Sequence, residues 1–130
     1  MSVLIDTPIW SLALRRKQPD PQVAEQLRRL LKANQARLLG LVRLEVLAGL
    51  HRPALFAQVR DELRVLPDHP LTVAHHERAA EFFTTCRAKG VQGSFTDFLL
   101  CATSDLDDMP ILTTDGDFGH YARHLPITLL

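Results

Sequence analysis

The sequence predicts a three-layer α/β fold: a central, mostly parallel sheet of four to five strands with helices on both faces. Two observations lead to it. Short branched apolar runs alternate along the chain with segments whose apolar residues recur every three or four positions, the order expected when each strand is followed by a covering helix. The strongest runs, Val3-Leu4-Ile5 and Pro110-Ile111-Leu112-Thr113, also lead into acids, Asp6 and Asp115. The carboxyl ends of strands are where open α/β sheets bind ligands.

Taken in order, Val3-Leu4-Ile5 reads as a buried strand and Asp6-Thr7-Pro8 as the switch into a helix over 8–14. Thr7 can cap that helix, and Pro8 suits its first position because the missing N–H would have no partner there. The basic cluster Arg15-Arg16-Lys17 follows. Asp20-Pro21 repeats the signal and starts a helix with Val23, Leu27, Leu30 and Leu31 on one face and Arg28, Arg29 and Lys32 mostly on the other. Residues 36–40 read as a second strand and 41–50 as a helix ending near Gly49. Pro53 opens another helix through Leu55, Phe56, Val59 and Leu63, with Val65-Leu66 as a strand remnant after it. The longest helical pattern covers 72–89, with Val73, Ala80, Phe83 and Cys86 spaced for a buried face and Gly90 as its stop. Thr96-Asp97-Phe98-Leu99-Leu100-Cys101-Ala102 is apolar on nearly every side, so it belongs deep in the fold. Residues 110–113 read as a buried strand, Thr114-Asp115-Gly116-Asp117 as a tight acidic turn, 118–123 as a helical turn and 126–130 as a final strand.

A chain of 130 residues predicts a single domain, 1–130, with one substantial core. An apolar fraction of 46% beside 23% charged residues is ordinary for a soluble globular protein. Cys86 and Cys101 have no Cys-x-x-Cys spacing, which fits buried free thiols in a reducing compartment. No basic, apolar leader opens the chain and no apolar run approaches about 18 residues, so a cytoplasmic protein without a membrane partner is expected. His51, His69, His75, His76, His120 and His124 show no zinc spacing and read as surface or helix-terminal residues.

The acids carry the chemical signal. Asp6 ends the first strand. Glu45 has Leu41, Val42, Ala48 and Gly49 as its three- and four-residue neighbours, so it is expected on an apolar and small face, where a carboxylate is costly without a partner. Asp97 opens the most apolar helix, and Asp115 and Asp117 end a buried strand. Singly, each has a structural reading: Asp97 as a helix-start acid, Asp115 and Asp117 as turn residues, Glu45 as a solvent-facing side chain. Jointly, the predicted fold sends Asp6 and the Asp115 turn to one sheet edge and packs the helices of Glu45 and Asp97 nearby. Like charges about 4 Å apart repel by about 4 kcal/mol at an effective dielectric near 20, so a converged set must take up protons or bind a cation. Oxygen ligands alone select hard ions such as Mg²⁺ or Mn²⁺, and such sites bind phosphate oxygens and hydrolyse phosphate esters. Formal net charge is zero, with 15 acids against 15 Lys and Arg. Gathering five acids in one site would leave a basic remainder suited to a polyanion.

Four motifs, Leu4-Ile5-Asp6-Thr7-Pro8-Ile9-Trp10, Leu44-Glu45-Val46-Leu47-Ala48-Gly49, the segment from Thr96 to Ala102, and Leu112-Thr113-Thr114-Asp115-Gly116-Asp117-Phe118, resemble those of the PIN-domain ribonucleases, and more closely VapC-type toxins of toxin–antitoxin pairs. All four occur in the family's order across essentially the whole chain. The resemblance implies Mg²⁺- or Mn²⁺-dependent endonucleolytic cleavage of RNA. It makes Asp6, Glu45, Asp97 and Asp115 the acidic quartet, with Asp6, Asp97 and Asp115 holding metal, Asp117 an auxiliary acid, and Thr7 and Thr113 orienting ligands. It further implies a homodimer and a VapB-type antitoxin folded over a groove, for which Trp10 and Leu14, with Leu27 and Leu30, are candidate walls unless they are core. Arg15, Arg16, Lys17, Arg28, Arg29 and Lys32 are candidates for gripping the RNA backbone, with a solvated helix face as the alternative.

Two other readings compete. A haloacid-dehalogenase-like phosphatase also ends its first strand in an Asp, but the second acid it needs two residues later is here Pro8. A PIN-like module reduced to binding would be expected to lose an acid, and all are present. Serine or cysteine hydrolysis lacks a Gly-x-Ser-x-Gly elbow, and Ser94 has no surrounding signature.

Overall fold

Burial starts at the first strand. In a computed structural model, which describes residues 1–14 and 20–130, the side chains of β1 (Val3–Ile5) have no exposed surface. Burying each contributes roughly 1.5–3 kcal/mol, and a strand covered on both faces and both edges must be central. β2 (Ala36–Arg37) and β3 (Ile111–Leu112) flank it, both parallel, in the order β2-β1-β3. The Val3 N–H donates to the Gln35 carbonyl at 2.7 Å and the Asp6 N–H to that of Leu112 at 3.0 Å. That second bond brings the carboxyl ends of β1 and β3 side by side.

Around the sheet run α1 (Thr7–Ala13), α2 (Pro21–Lys32), α3 (Gly40–Ala48), α4 (Pro53–Leu63), α5 (Val73–Ala88), α6 (Phe95–Asp107) and α7 (Asp117–Ala122). From β1 the chain moves through α1 and α2 to one edge of the sheet, then returns past β1 through α3 to α6 to reach the other. With right-handed crossovers the two connections cover opposite faces. The strand order therefore reverses between β1 and β3, and such a switch point opens the crevice that α/β sheets use for ligands.

The sheet is narrower than expected. Residues 126–130 form one parallel bridge, Leu129 to Ile111, and no strand. Pro126 has no N–H to give, and Leu129 and Leu130 are largely exposed, so the segment has little apolar face to hold it flat. Val65-Leu66 is likewise no strand: Val65 is 81% exposed, and the nearby pairing is a single bridge from Leu38 to Asp68.

Helix starts follow the capping signals with one change. Asp20 caps α2, accepting from the N–H groups of Gln22 and Val23. In α1, however, Asp6 and not Thr7 is the cap, its Oδ1 accepting from the Thr7 N–H at 2.8 Å. α6 is buried from Thr96 to Ser104 apart from Asp97, as its composition predicts, and the hydroxyls of Thr103 and Ser104 donate to the carbonyls of Leu99 and Met109. α2 buries Leu27 while Leu31 faces out.

The rotation of α5 departs from the sequence pattern. Its buried residues are His75, Phe82 and Cys86; Val73 is 74% exposed and Ala80 is exposed as well. α5 lies along α6, so the stripe that meets α6 is the buried one. His75, expected at the surface or at a helix end, lies in the first turn of α5 and sits inside because its hydrogen bonds are met there. Its Nδ1 accepts from the Thr72 N–H at 3.0 Å, and its Nε2 lies 2.9 Å from Asp107 Oδ2, which His69 also approaches at 2.7 Å. Accepting at Nδ1 fixes the proton on Nε2 and directs it to the carboxylate. Asp107 is held below the usual carboxylate range, its partial burial being outweighed by hydrogen bonds from the two imidazoles. Gly90 closes the helix at φ +75°, as expected of a left-handed stop.

This rotation is checked by two truncations in a denaturant titration. Phe82→Ala is expected to destabilise by about 3–5 kcal/mol, whereas Val73→Ala is expected to change stability by less than about 0.5 kcal/mol. The opposite ranking would restore the face read from sequence.

Candidate active site

Asp6 is where the site begins. It is the last residue of the central strand's path and the cap of α1, and only 3% of its surface is exposed. Its two oxygens are both used. Oδ1 accepts from the Thr7 N–H at 2.8 Å, and Oδ2 accepts from the Thr113 hydroxyl at 2.7 Å across 107 positions of sequence. The same Thr113 Oγ1 accepts from the Asp115 N–H at 2.9 Å, so one hydroxyl joins the end of β1 to the turn after β3. On the other side Thr7 donates its hydroxyl to Glu45 Oε1 at 2.7 Å. The two threonines thereby tie Asp6, Glu45 and Asp115 into one chain of contacts.

Asp97 comes from a third direction, the first turn of α6. Its backbone is set by Ser94, which caps the helix by accepting the Asp97 N–H at 3.1 Å. Its Oδ2 accepts from the Tyr121 hydroxyl at 2.6 Å. Asp117 stands at the start of α7, its N–H donating to Asp115 Oδ1 at 2.9 Å while its own side chain is turned to solvent. Of the two acids in the turn, Asp115 is the one bound into the network of Asp6.

The charges of Asp97 and Asp115 bear on Asp6, and those of Asp115 and Glu45 on Asp97. The Asp6 carboxyl is raised to about 6, first by burial and then by the negative charges of Asp97 and Asp115, against the lowering effect of its hydrogen bonds from Thr113 and Thr7. Asp97 is raised for the same main reason, burial, opposed by Tyr121 and Ser94 and reinforced by Asp115 and Glu45. Tyr121 is pushed far up by burial, its bond to Asp97, and the charges of Asp97, Asp117 and Asp115, so its hydroxyl keeps its proton and stays a donor. The Cys101 thiol, buried beneath the acids, is also pushed up by burial and by Asp97, Cys86 and Asp6. Both cysteines are free and buried, as expected.

The donor set suits a hard divalent cation: the ionisable groups are carboxylates, and the burial and like charge that raise two of them are opposed by positive charge. Among the described residues no three His, Cys, Asp or Glu side chains stand together at metal-holding spacing. Each acid turns instead to its own neutral donor, which keeps like charges apart.

Several expectations change here. Glu45 does not lie on a buried apolar face. α3 buries Val42 and Val46, whereas Leu41, Glu45, Ala48 and Gly49 are on the exposed side, and the partner of Glu45 is a hydroxyl on another helix. Trp10 is no groove wall in this structure: it is 2% exposed and its indole N–H donates to the Ile5 carbonyl at 3.3 Å. Leu14 and Leu30 are partly buried against the core and Leu27 is inside it. Arg28 and Arg29 both close on Glu25, at 2.8 and 3.3 Å, so part of the charge expected to grip a polyanion is countered locally. Lys32 is exposed at the end of α2. Arg15, Arg16 and Lys17 lie outside the described residues. Sequence reasoning missed Ser94, Gly93 and Tyr121. Ser94 was findable as a Ser-x-x-Asp cap, but nothing local marks Tyr121, whose partner is 24 positions away.

A family model described as the PIN domain matches residues 3–124. No curated protein matches the sequence. Among solved structures the chain is similar to FitAcB from Neisseria gonorrhoeae, at 18% identity and a TM-score of 0.79 over 98% of this chain and 96% of that one. It is similar to VapBC2 from Rickettsia felis bound to a DNA fragment from their promoter, at 17% identity and a TM-score of 0.79 over 100% and 97%. A toxin–antitoxin complex from Klebsiella pneumoniae matches at 20% identity and a TM-score of 0.63 over 90% of each chain. At these identities the likeness is one of fold.

The raised carboxyl of Asp6 has a consequence for stability. Between the ordinary Asp value and about 6 the folded protein holds a proton that the unfolded chain has lost, so this stabilisation is present at low pH and is lost as pH rises through 6. In chelator, stability is expected to fall by up to about 3 kcal/mol from pH 4 to 7 on account of this group. Denaturation of Asp6→Asn across that range is expected to give a flatter profile, and an unchanged slope would show that another group sets it.

Proposed function

The chain belongs to the PIN-domain family, and from that premise we propose that it is a divalent-metal-dependent endoribonuclease, the VapC-type toxin of a toxin–antitoxin pair. The observation that carries this reading is the network in which Thr7 and Thr113 link Asp6, Glu45 and Asp115 at the β1/β3 switch point, with Asp97 near enough for its charge to bear on Asp6. Capping α1 needs only one of these carboxylates, Asp6, and bringing the others near it raises the cost of its charge.

In this reading Asp6, Asp97 and Asp115 hold Mg²⁺ or Mn²⁺. A bound ion of this kind supplies neutralisation of phosphate charge and a more acidic water. Thr7 and Thr113 act mainly on the acids: each hydroxyl fixes a carboxylate oxygen and so sets where the remaining oxygens point. Glu45, exposed and steadied by Thr7, takes the proton of the attacking water in this reading. Attack on phosphorus is in line, with the 3′ oxygen leaving. Asp117, on the solvent side of the turn, serves as an auxiliary acid facing the approaching substrate. Arg15, Arg16, Lys17, Arg28, Arg29 and Lys32 serve the RNA backbone, with Glu25 offsetting part of the charge on α2.

A VapB-type antitoxin and a homodimer belong to the same proposal. The fold neighbours include a toxin–antitoxin complex, and Leu41 and Leu44 offer exposed apolar surface on the same helix as Glu45. Among the described residues, no helix is long and apolar enough to cross a membrane.

The test is incubation of the purified chain, free of antitoxin, with end-labelled structured RNAs in Mg²⁺, in Mn²⁺ and in chelator. Discrete cleavage is expected only with metal, and Asp97→Asn is expected to lower its rate by at least about 100-fold, since ligation of the ion is worth several kcal/mol in the transition state. Cleavage undiminished by chelator or by the substitution would overturn the reading.

A further inference from the structure

Tyr121 is packed beside the acids, and the proposed reaction gives it no role. It has no exposed surface. Its ring centroid lies 5.1 Å from those of Phe98 and Phe118, and Phe98 packs in turn on Phe83 at 5.6 Å. Phe98 directly follows Asp97 and Phe118 directly follows Asp117, so the residues that clamp the phenol are chain neighbours of acids around it.

The hydroxyl end is as closely fitted as the ring. It donates to Asp97 Oδ2 at 2.6 Å and lies 3.4 Å from the Gln92 carbonyl. A Cβ on Gly93 would stand 2.2 Å from the hydroxyl oxygen, 2.8 Å from Cζ and 3.0 Å from Phe98 Cε2. Only glycine lets the loop before α6 pass over the phenol. Asp97 is thus held at its backbone by the Ser94 cap and at its carboxylate by Tyr121, with the Ser94 side chain also favouring its charged form.

We propose that Tyr121 is a positioning residue: it holds Asp97 Oδ2 so that the other oxygen is preset for a divalent cation, and Gly93 is the space that permits it. The inference rests on the metal-nuclease reading above. A ligand fixed before binding gives up less side-chain freedom when the ion arrives, and groups that orient a ligand typically change metal affinity or activity by about 10–100-fold when removed. A phenol caged by aromatic rings is a better anchor for this than a surface hydroxyl, because it has no alternative rotamer to fall into.

Mn²⁺ binding to the full chain, followed by calorimetry, tests this without reference to activity. Tyr121→Phe keeps the ring and its packing and is expected to fold while weakening Mn²⁺ binding by about tenfold or more. RNA cleavage by this variant should show a lower kcat with KM for RNA unchanged. Gly93→Ala should weaken Mn²⁺ binding in the wild-type background and do so much less in Tyr121→Phe, where the displaced hydroxyl is already gone. Asp97→Asn should abolish the binding. Wild-type affinity in Tyr121→Phe, with binding still lost in Asp97→Asn, overturns the positioning role and leaves the metal site standing. Wild-type affinity in Asp97→Asn overturns the metal reading itself.

Discussion

A carboxylate almost out of reach of water, at the end of the central strand, is the constraint on which the rest of this structure depends. Asp6 is raised to about 6 and stays in place because Thr7 and Thr113 supply hydrogen bonds to both of its oxygens. Those two donors come from opposite ends of the chain. The turn after β3 must therefore sit against the start of α1, and the parallel pairing of β1 with β3 puts it there. Asp6 also caps α1, so one side chain ends a strand, starts a helix and anchors the acidic network.

Two of the acids sit where their charged form is disfavoured. Burial first and mutual repulsion second raise Asp6 and Asp97, and positive charge beside them would oppose the rise. The surroundings prevent the acids from relaxing away. α6 is buried on nearly all sides, so Asp97 cannot move without moving the core, and the aromatic cluster of Phe98, Phe118 and Tyr121 fills the space behind it. Rigidity behind the acids and exposure of Glu45 and Asp117 in front give the site a closed wall and an open face.

Legibility in the sequence followed how local each determinant was. The strand Val3–Ile5, the Asp20-Pro21 helix start, the all-round apolar α6 and the Gly90 stop were readable because a few consecutive residues decide them. The rotation of α5 was not, because its pattern of Ala, His and Phe supports more than one buried stripe and α6 selects among them. Phe82 and His75 went in, and Val73 stayed out. Glu45 was singled out for an incorrect reason: it was expected on a buried face and lies on an exposed one, held by Thr7 across 38 positions. The run at 126–130 looked like a strand from its apolar residues alone, but pairing needs a free edge and a covering face, and it obtained a single bridge.

By itself, then, the sequence determined the fold class, the central strand and most of the helices, since these depend on burial patterns and end signals spanning a few residues. Only the tertiary structure decided which donors hold the acids, that Asp115 and not Asp117 joins the network of Asp6, that Trp10 is core, and that Tyr121 reaches Asp97 through the space left by Gly93. The physical reason is distance along the chain. A hydrogen bond between residues 24 or 107 positions apart leaves no trace in the local periodicity of either partner, and it exists only once packing has brought the segments together.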